Sequence, residues 1–199
     1  MTKDCVEYAK GCQACQKFGN LKHIPAEDLH SVIKPWPFRG WALDLIGKVN
    51  PPSSKQYCFI IVAIDYFTKW VEAKPMKTVD QYDVITFIKD LMCRFEIPQS
   101  ITVDNGTVFD SVLVREFLGE YRVSLIHSTP YYAQSNGQVE AVNKQIKKRI
   151  QKAIENNSRE WHNILLDVLW AYRTSKRSNT GTTPYALVYG HDAVLPVEI

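Results

Sequence analysis

Strand-like and helical segments follow one another in this chain in an order that few folds accommodate. Apolar runs typical of strands lie at 41–46, 57–65, 68–73, 100–103 and 123–126. Only short turn segments separate the first three runs, which predicts an antiparallel meander. Helical patterns lie on both sides of the fourth run, and further helical patterns follow the fifth. This order predicts an α/β fold, a mixed five-stranded sheet with helices on both faces.

Local signals predict the first two helices of this arrangement. Thr78 and Gln81 have the spacing of a capping box, which predicts a helix that runs to about Phe95 and is stopped by Pro98. A second helix is predicted from Ser111 to Tyr121. Its inward-facing side chains are expected to be Val112, Leu113, Phe117 and Leu118.

Composition sets the broad class of the protein. The chain has 199 residues, of which 45% are apolar and 12% aromatic, enough for a sizeable core. No apolar run approaches the roughly 20 residues that span a bilayer, and the N-terminus lacks a signal-peptide pattern, so we expect an intracellular protein that contacts no membrane. The five cysteines are an odd number. They favour reduced thiols with one candidate metal pair over a disulfide framework.

The first 35 residues differ in character from the rest. Cys12 and Cys15 form a Cys-x-x-Cys pair, which is half of a zinc site, although a chance occurrence or a redox pair is an equal alternative. His23 and His30 do not have the spacing of a ligand pair, so Zn²⁺ would need ligands from outside this chain. We therefore predict a zinc-domain remnant at 1–20, a proline-containing linker at 21–35, and a compact domain at 36–199.

Three acidic residues occupy positions where chemistry is a better explanation than solvation. Asp44 lies inside an apolar strand, where an unpaired carboxylate is costly unless it binds something. Asp104 follows the strand at 100–103. Glu140 stands near the start of an amphipathic helix that a turn-rich segment precedes. Three acids in such settings suggest a single site.

Lysines follow Glu140 along its own helix face. Lys144, Lys147 and Lys148 lie four, seven and eight positions beyond it. The net charge of +3 is small, but the basic residues concentrate in this half of the chain. A charged helix face is usually only a solvated surface. A carboxylate at the head of a basic track is, however, what a metal-dependent enzyme that acts on a polyanion needs.

Converging carboxylates suit phosphoryl transfer with divalent metals. Two cations about 3.5 to 4 Å apart can activate the attacking oxygen and stabilise the leaving oxygen together. Because carboxylate oxygens are hard ligands, Asp44, Asp104 and Glu140 favour Mg²⁺, with Mn²⁺ as a substitute.

Three sequence blocks resemble those of the retroviral and long-terminal-repeat retrotransposon integrases, especially the gypsy-type elements. The blocks are Trp-Ala-Leu-Asp44, Val-Asp104-Asn-Gly-Thr-Val-Phe109, and Thr-Pro-Tyr131 through Asn136-Gly-Gln-Val-Glu140 to Lys144. The 35 residues between Asp104 and Glu140 are that family's characteristic interval. The resemblance extends from the cysteine pair to Gly190. Ala133 departs from the proline common in the family.

The resemblance implies a ribonuclease H-like catalytic core, 3′-end processing, and strand transfer into target DNA. It makes Asp44, Asp104 and Glu140 the catalytic metal ligands, and it makes Cys12 and Cys15 half of the integrase zinc domain. It also implies double-stranded DNA of the element ends and the target as partners, a homo-oligomer, and a nuclear location. The residues expected to contact DNA are Tyr131, Asn136, Gly137, Asn143, Lys144, Lys147 and Lys148.

Alternatives remain open for the activity and for single residues. A catalytically inactive or domesticated integrase-derived module, which binds DNA or supports assembly, would keep the same fold. Asp65, Asp110 and Glu116 are rival acids, and Asp65 is better explained as a turn acid. His127 is a candidate proton shuttle, but a histidine at a strand end is more often structural, and metal-activated water needs no such group.

Overall fold

The computed structural model describes the compact part of this chain, residues 36–104, 106–127, 159–178 and 180–195. It also describes five single residues, all exposed and helical: Tyr8, Gly11, Lys144, Lys148 and Lys152. The chain divides into two units, Met1–His30 and Ser31–Ile199. All the strands and helices given below belong to the second unit.

Five strands form one mixed sheet, as the segment order predicts. They are β1 Gly40–Ile46, β2 Phe59–Asp65, β3 Val71–Met76, β4 Ser100–Val103 and β5 Ser124–His127. Their order across the sheet is β3-β2-β1-β4-β5. β2 pairs antiparallel with both β1 and β3, which confirms the meander. β4 lies parallel to β1 and to β5, so the sheet changes from antiparallel to parallel at β1.

Four helices of the described residues pack around this sheet. They are α1 Gln81–Arg94, α2 Val112–Glu120, α3 Trp161–Thr174 and α4 Pro184–Tyr189. α1 and α2 cover one core with Val84, Leu91, Val114 and Leu118. α3 covers a second core on the other face with Trp161, Leu165 and Leu169. Helices on both faces are therefore confirmed.

Alternation along β1 divides its side chains between the two cores. Trp41 and Leu43 enter the core below α1 and α2, whereas Ala42 and Ile46 enter the core below α3. The neighbouring β2 is apolar from Phe59 to Ile64, because an interior strand buried on both faces leaves no side for polar residues. β1 is the central strand of the five and contributes side chains to both cores.

The predicted capping box at Thr78 and Gln81 is wrong. Asp80 caps α1 instead, and its Oδ1 accepts hydrogen bonds from the amides of Tyr82 at 2.8 Å and Asp83 at 2.9 Å. The carboxylate of Asp83 accepts in return from the Asp80 amide at 3.2 Å. Two overlapping pairs have capping-box spacing at the start of this helix, Thr78 with Gln81 and Asp80 with Asp83. The two carboxylates of the second pair accept both reciprocal hydrogen bonds.

The second helix begins where the sequence indicates but is rotated from the expected face. Ser111 caps α2 by accepting a hydrogen bond from the Val114 amide at 3.3 Å. Val112 was expected to face inward and is instead 68% exposed, whereas Val114 and Leu118 are buried. The inward stripe therefore starts at the third residue of the helix, one turn before Leu118.

Candidate functional site

Asp44 lies in β1, and Asp104 directly follows β4, the parallel strand beside it. The register of β1 and β4 pairs Trp41 with Ile101 and Ala42 with Thr102. Asp44 and Asp104 each follow that last pair by two residues. Extended by two residues, this register sets Asp44 opposite Asp104 on strands that lie about 4.8 Å apart. It agrees with the prediction that these two acids belong to one site, and a test of that site needs bound metal.

Short hydrogen bonds orient both carboxylates. Asp44 Oδ1 accepts from the Leu45 amide at 2.7 Å, within the extended backbone of β1. Asp104 Oδ1 accepts from the Gly106 amide at 3.0 Å, across the turn that leaves β4. Both side chains are half-buried. Carboxylate oxygens are the ligands that a hard divalent cation prefers, so the chemistry of these two side chains fits such an ion.

Gly106 leaves space for the Asp104 carboxylate. A Cβ placed at Gly106 would lie 2.8 Å from Asp104 Oδ1 and 3.6 Å from the Phe109 ring. A side chain at this position would therefore push the carboxylate away from its amide donor. The turn after β4 continues with a hydrogen bond from the Phe109 amide to the Gly106 carbonyl at 3.1 Å, and Phe109 is buried.

The rival acid Asp110 belongs to an ion-pair network beside this turn. Arg115 donates to its two carboxylate oxygens from Nε at 2.8 Å and from a terminal nitrogen at 2.6 Å. His127 Nε2 lies 3.0 Å from Asp110 Oδ1. The hydrogen bond from Arg115 is the main cause that lowers the pKa of Asp110, with the charges of Arg115 and His127 acting in the same direction. Asp110 is therefore an ionised partner of His127 at neutral pH.

Asp65 lies at the turn after β2, as the sequence predicts. It pairs with Trp41 in the register of β1 and β2, three residues from Asp44, or about 10 Å along the strand. Its fully buried carboxylate accepts hydrogen bonds from the Thr68 amide and hydroxyl, both at 2.7 Å, and from the Phe38 amide at 3.0 Å. Burial raises the pKa of Asp65 against the opposing effect of these bonds.

Comparison with known proteins assigns this part of the chain to a family. Residues 35–133, which include Asp44 and Asp104, match the family model described as the integrase core domain. This chain carries an integrase core domain.

Similar proteins agree with that assignment. The chain is 29% identical over 196 residues to the Pro-Pol polyprotein of feline foamy virus, a match that covers 98% of this chain and 17% of the polyprotein. It is 26% identical over 204 residues to the transposon Tf2-3 polyprotein of Schizosaccharomyces pombe, a match that covers 99% of this chain and 15% of that protein. The chain thus spans about a sixth of these relatives.

A solved structure shares the fold of the integrase core domain. The HTLV-2 integrase catalytic core domain, described in complex with magnesium in a trimeric form, superposes with a TM-score of 0.60 at 24% identity. The match covers 77% of this chain and 97% of that domain. The likeness confirms the ribonuclease H-like mixed sheet with helices on both faces.

Several predicted site residues of the integrase core lie outside the described residues. Glu140 is one of them, so the meeting of all three acids stays a prediction. Among the residues that the structure describes, no group of three or more His, Cys, Asp or Glu side chains could hold a metal ion. The other predicted positions outside the described part are Cys12, Cys15, Tyr131, Asn136, Gly137, Asn143 and Lys147.

The predicted basic track is partly described. Lys144 and Lys148 are helical and exposed, and so is Lys152, four residues further along. Residues at this spacing lie on one face of a helix. Their exposure agrees with a surface that is available to a large anionic partner.

One buried ion pair in the integrase core was not predicted from the sequence. Glu72 on β3 accepts from the Trp70 indole at 2.7 Å and pairs with Arg173 at 2.9 Å and Arg94 at 3.1 Å. Arg173 belongs to α3 and Arg94 to α1, so the pair joins helices from both faces at the sheet edge. It lies on the far side of β2 from Asp44, and its role is structural.

Two further findings concern the cysteines and the membrane. Cys58 is buried and Cys93 exposed, and both are free thiols, as the sequence predicts for reduced cysteines. No helix in the described part of the chain has the length and apolar character needed to cross a membrane.

Proposed function

We propose that this chain is the catalytic part of a polynucleotidyl transferase that processes the 3′ ends of retroelement DNA and joins them to target DNA. The observation that carries the proposal is the parallel pairing of β1 with β4 in an integrase core domain, whose register, extended by two residues, sets Asp44 opposite Asp104. Glu140 is the third acid of the proposed site, and its part is inferred from sequence alone.

The described acids fit a divalent metal. Asp44 and Asp104 offer oxygen ligands from two adjacent strands, which is the donor chemistry that Mg²⁺ and Mn²⁺ prefer. Two such ions would supply activation of the attacking oxygen and stabilisation of the leaving oxygen. The HTLV-2 relative, described in complex with magnesium, supports the choice of metal.

The protein's own contribution to this reaction is the placement of charged groups. The backbone of β1 holds the Asp44 carboxylate, and the Gly106 amide holds that of Asp104. Little reorganisation of these side chains is therefore needed when they bind metal ions. His127 Nε2 is directed at Asp110. The proposal therefore assigns no general-base role to the histidine.

DNA is the proposed partner of the lysine face. Lys144, Lys148 and Lys152 present three positive charges at one-turn spacing on an exposed helix face. Rows of this kind bind phosphates without regard to base sequence, because the contacts go to the backbone. We assign the face, with Lys147 from the sequence, to double-stranded DNA of the element ends and the target.

A homo-oligomer is the proposed working form. Leu166 is 71% exposed and Trp170 41% exposed on α3, so an otherwise well-packed helix presents large apolar side chains to solvent. Burial of such side chains against a second copy is a common reason for their presence. Sedimentation of the full chain at micromolar concentration tests this, and a monomer at all concentrations would contradict it.

Two finer assignments complete the proposal. Because the proposed target is chromosomal DNA, the protein is assigned to the nucleus. Cys12 and Cys15 are assigned to a zinc site whose remaining ligands come from outside this chain. Zinc content of the protein purified together with the segment that supplies those ligands tests the second assignment, with Cys12→Ser as the comparison.

The central experiment is a strand-transfer and disintegration assay with Mg²⁺ or Mn²⁺. Wild-type chain should turn over DNA, and Asp44→Asn and Asp104→Asn should reduce turnover to background while DNA binding stays normal. Asp90→Asn is the matched control, because Asp90 is an exposed acid on α1, paired with Lys74 at 3.5 Å. It should keep full activity.

Two outcomes would contradict the proposal. One is an inactive wild-type chain that binds DNA normally with either metal, which favours the inactive DNA-binding or assembly module. The other is turnover that survives Asp104→Asn, which places the chemistry elsewhere.

A further inference from the structure

The edge strand β5 has little burial to hold its carboxyl end in place. It is four residues long, and its side chains alternate between exposed and half-buried. β4 pairs with it on one side only, because β5 is the last strand of the sheet. A short edge strand of this kind frays easily unless another contact ties its end.

The contact that ties it is the pair of His127 and Asp110. His127 is the last residue of β5, and its Nε2 lies 3.0 Å from Asp110 Oδ1. Arg115 fixes Asp110 through both carboxylate oxygens, and Arg115 itself stands in the first turn of α2. The histidine is thus held by an acid that is already immobilised from the other side.

This network lies next to the proposed acid site. His127 pairs with Val103 in the register of β5 and β4, and Asp104 is the next residue after Val103. Asp110 stands at the far end of the turn that begins with the Asp104 to Gly106 hydrogen bond. The network therefore joins the turn that follows β4 to the last residue of β5.

We propose that His127, held by Asp110 and Arg115, is a positioning residue that fixes the end of β5 beside Asp104, where the segment leading to Glu140 begins. The inference rests on the proposed function and deepens it. His127 touches neither substrate nor metal in this assignment. It acts by fixing the last residue of β5 against the turn that carries Asp104.

The network should affect turnover more than stability. Its three side chains are partly exposed, with His127 and Asp110 each at 32% and Arg115 at 57%, and exposed ion pairs contribute little to folding. Displacement of a reacting group by about 1 Å can cost on the order of 100-fold in rate. The two roles of the pair can therefore be separated by experiment.

Kinetics of strand transfer by the full chain provide the first test. His127→Ala should lower kcat about 10- to 100-fold, with the KM for DNA and the unfolding midpoint close to wild type. His127→Gln should restore most of kcat, because the Gln amide nitrogen can donate from nearly the position of Nε2. His191→Ala, at an exposed histidine outside the network, should match wild type.

A double-mutant cycle provides the second test. Asp110→Ala should cause a similar loss of kcat, and the combination with His127→Ala should cost no more than either change alone, because both remove the same contact. Independent, additive losses would overturn the proposal. So would full activity in Asp110→Ala, which leaves the His127 ring in place.

Binding of Mn²⁺ by the chain without DNA, followed by electron paramagnetic resonance, adds a readout that needs no turnover. His127→Ala should weaken binding about 10-fold and His127→Gln should restore it. Unchanged kcat and Mn²⁺ affinity in His127→Ala, or losses that only track loss of folded protein, would overturn this inference alone. A wild-type chain that neither turns over nor binds Mn²⁺ would overturn the proposed function, and this inference with it.

Discussion

The backbone amide of Gly106 donates to Asp104 Oδ1 over 3.0 Å, and the same oxygen lies 2.8 Å from where a Cβ of residue 106 would be. The hydrogen bond in this geometry therefore requires a residue without a side chain at position 106. Any side chain at 106 forces the carboxylate to rotate or the turn to shift. The glycine is required by the position of a neighbouring acid, which the sequence motif alone does not reveal.

Gly106→Ala should consequently impair the acid site more than the fold. We expect a loss of strand-transfer turnover of about 10- to 100-fold, because displacement of a metal-ligating carboxylate has effects of this size. Thermal unfolding should change little. The measurement is kcat beside the unfolding midpoint for the same preparation.

Gly119→Ala is the matched control for this substitution. Nothing lies within 4 Å of a Cβ at Gly119, which stands inside α2. The change should leave turnover intact and stabilise the protein by up to about 1 kcal/mol, because alanine loses less backbone entropy in a helix. Equal turnover in the two variants would show that the Asp104 carboxylate tolerates the added methyl group.

The Glu72 ion pair leads to a prediction about stability alone. Arg173 donates from Nε at 3.0 Å and from a terminal nitrogen at 2.7 Å to the Val71 carbonyl, while also pairing with Glu72. Its guanidinium lies 4.3 Å from the centre of the Trp70 ring. Arg173→Lys keeps the charge but loses the forked donors, so we expect destabilisation of about 1 to 3 kcal/mol.

Urea unfolding measures this loss, with Lys176→Ala as the control at an exposed position just after α3. The control should stay within about 0.5 kcal/mol of wild type. Strand-transfer turnover per folded molecule should be unchanged in Arg173→Lys. A variant as stable as wild type would mean that the lysine ammonium alone secures α3 to β3.

Local patterns predicted the elements well and their long-range pairing poorly. The strand at 100–103 was located to the residue, because a short apolar run between turn residues has few alternatives. The capping of α1 was misassigned, since Thr78 and Asp80 both begin a capping-box pattern and backbone geometry chooses between them. The parallel pairing of β1 with β4 depends on packing between distant segments, which periodicity does not encode.

The same limit applies to the candidate site. Asp44 and Asp104 could be named from sequence because each carboxylate interrupts or follows an apolar strand. Asp110 and His127 were each noticed, but no sequence signal joined them, because their contact requires β5 to lie beside β4. Glu72 was missed for the same reason, as its cationic partners come from two helices that are far apart in the chain.

Asp65 predicts a pH dependence of stability with a defined sign. Burial raises the pKa of its carboxyl above the usual 3.8, so between 3.8 and the raised value the folded protein binds more protons than the unfolded chain. Stability contributed by this group therefore falls as pH rises through that window. Above that pH window the folded protein carries a charged, buried carboxylate, which lowers its free energy of unfolding.

Unfolding free energies measured from pH 3 to pH 7 for wild type and Asp65→Asn test the sign. The unfolding free energy of wild type should fall relative to that of Asp65→Asn as pH rises above about 4, because only wild type must ionise a buried group. Asp90→Asn, at an exposed acid, serves as the control and should show no such trend. A difference that moves in favour of wild type would mean that the Thr68 and Phe38 hydrogen bonds outweigh the cost of burial.

The exposed lysine face leads to a prediction about salt. Lys144→Ala and Lys148→Ala should each weaken binding to DNA of any sequence, because contacts to phosphate carry no base information. Each lost phosphate contact should reduce the slope of log affinity against log salt concentration by about 0.9. Fluorescence anisotropy over a range of salt concentrations measures both quantities, with Lys89→Ala on α1 as an exposed control outside this face. If the slopes of the two variants and the control coincide with wild type, these lysines are solvated and the DNA lies against another surface.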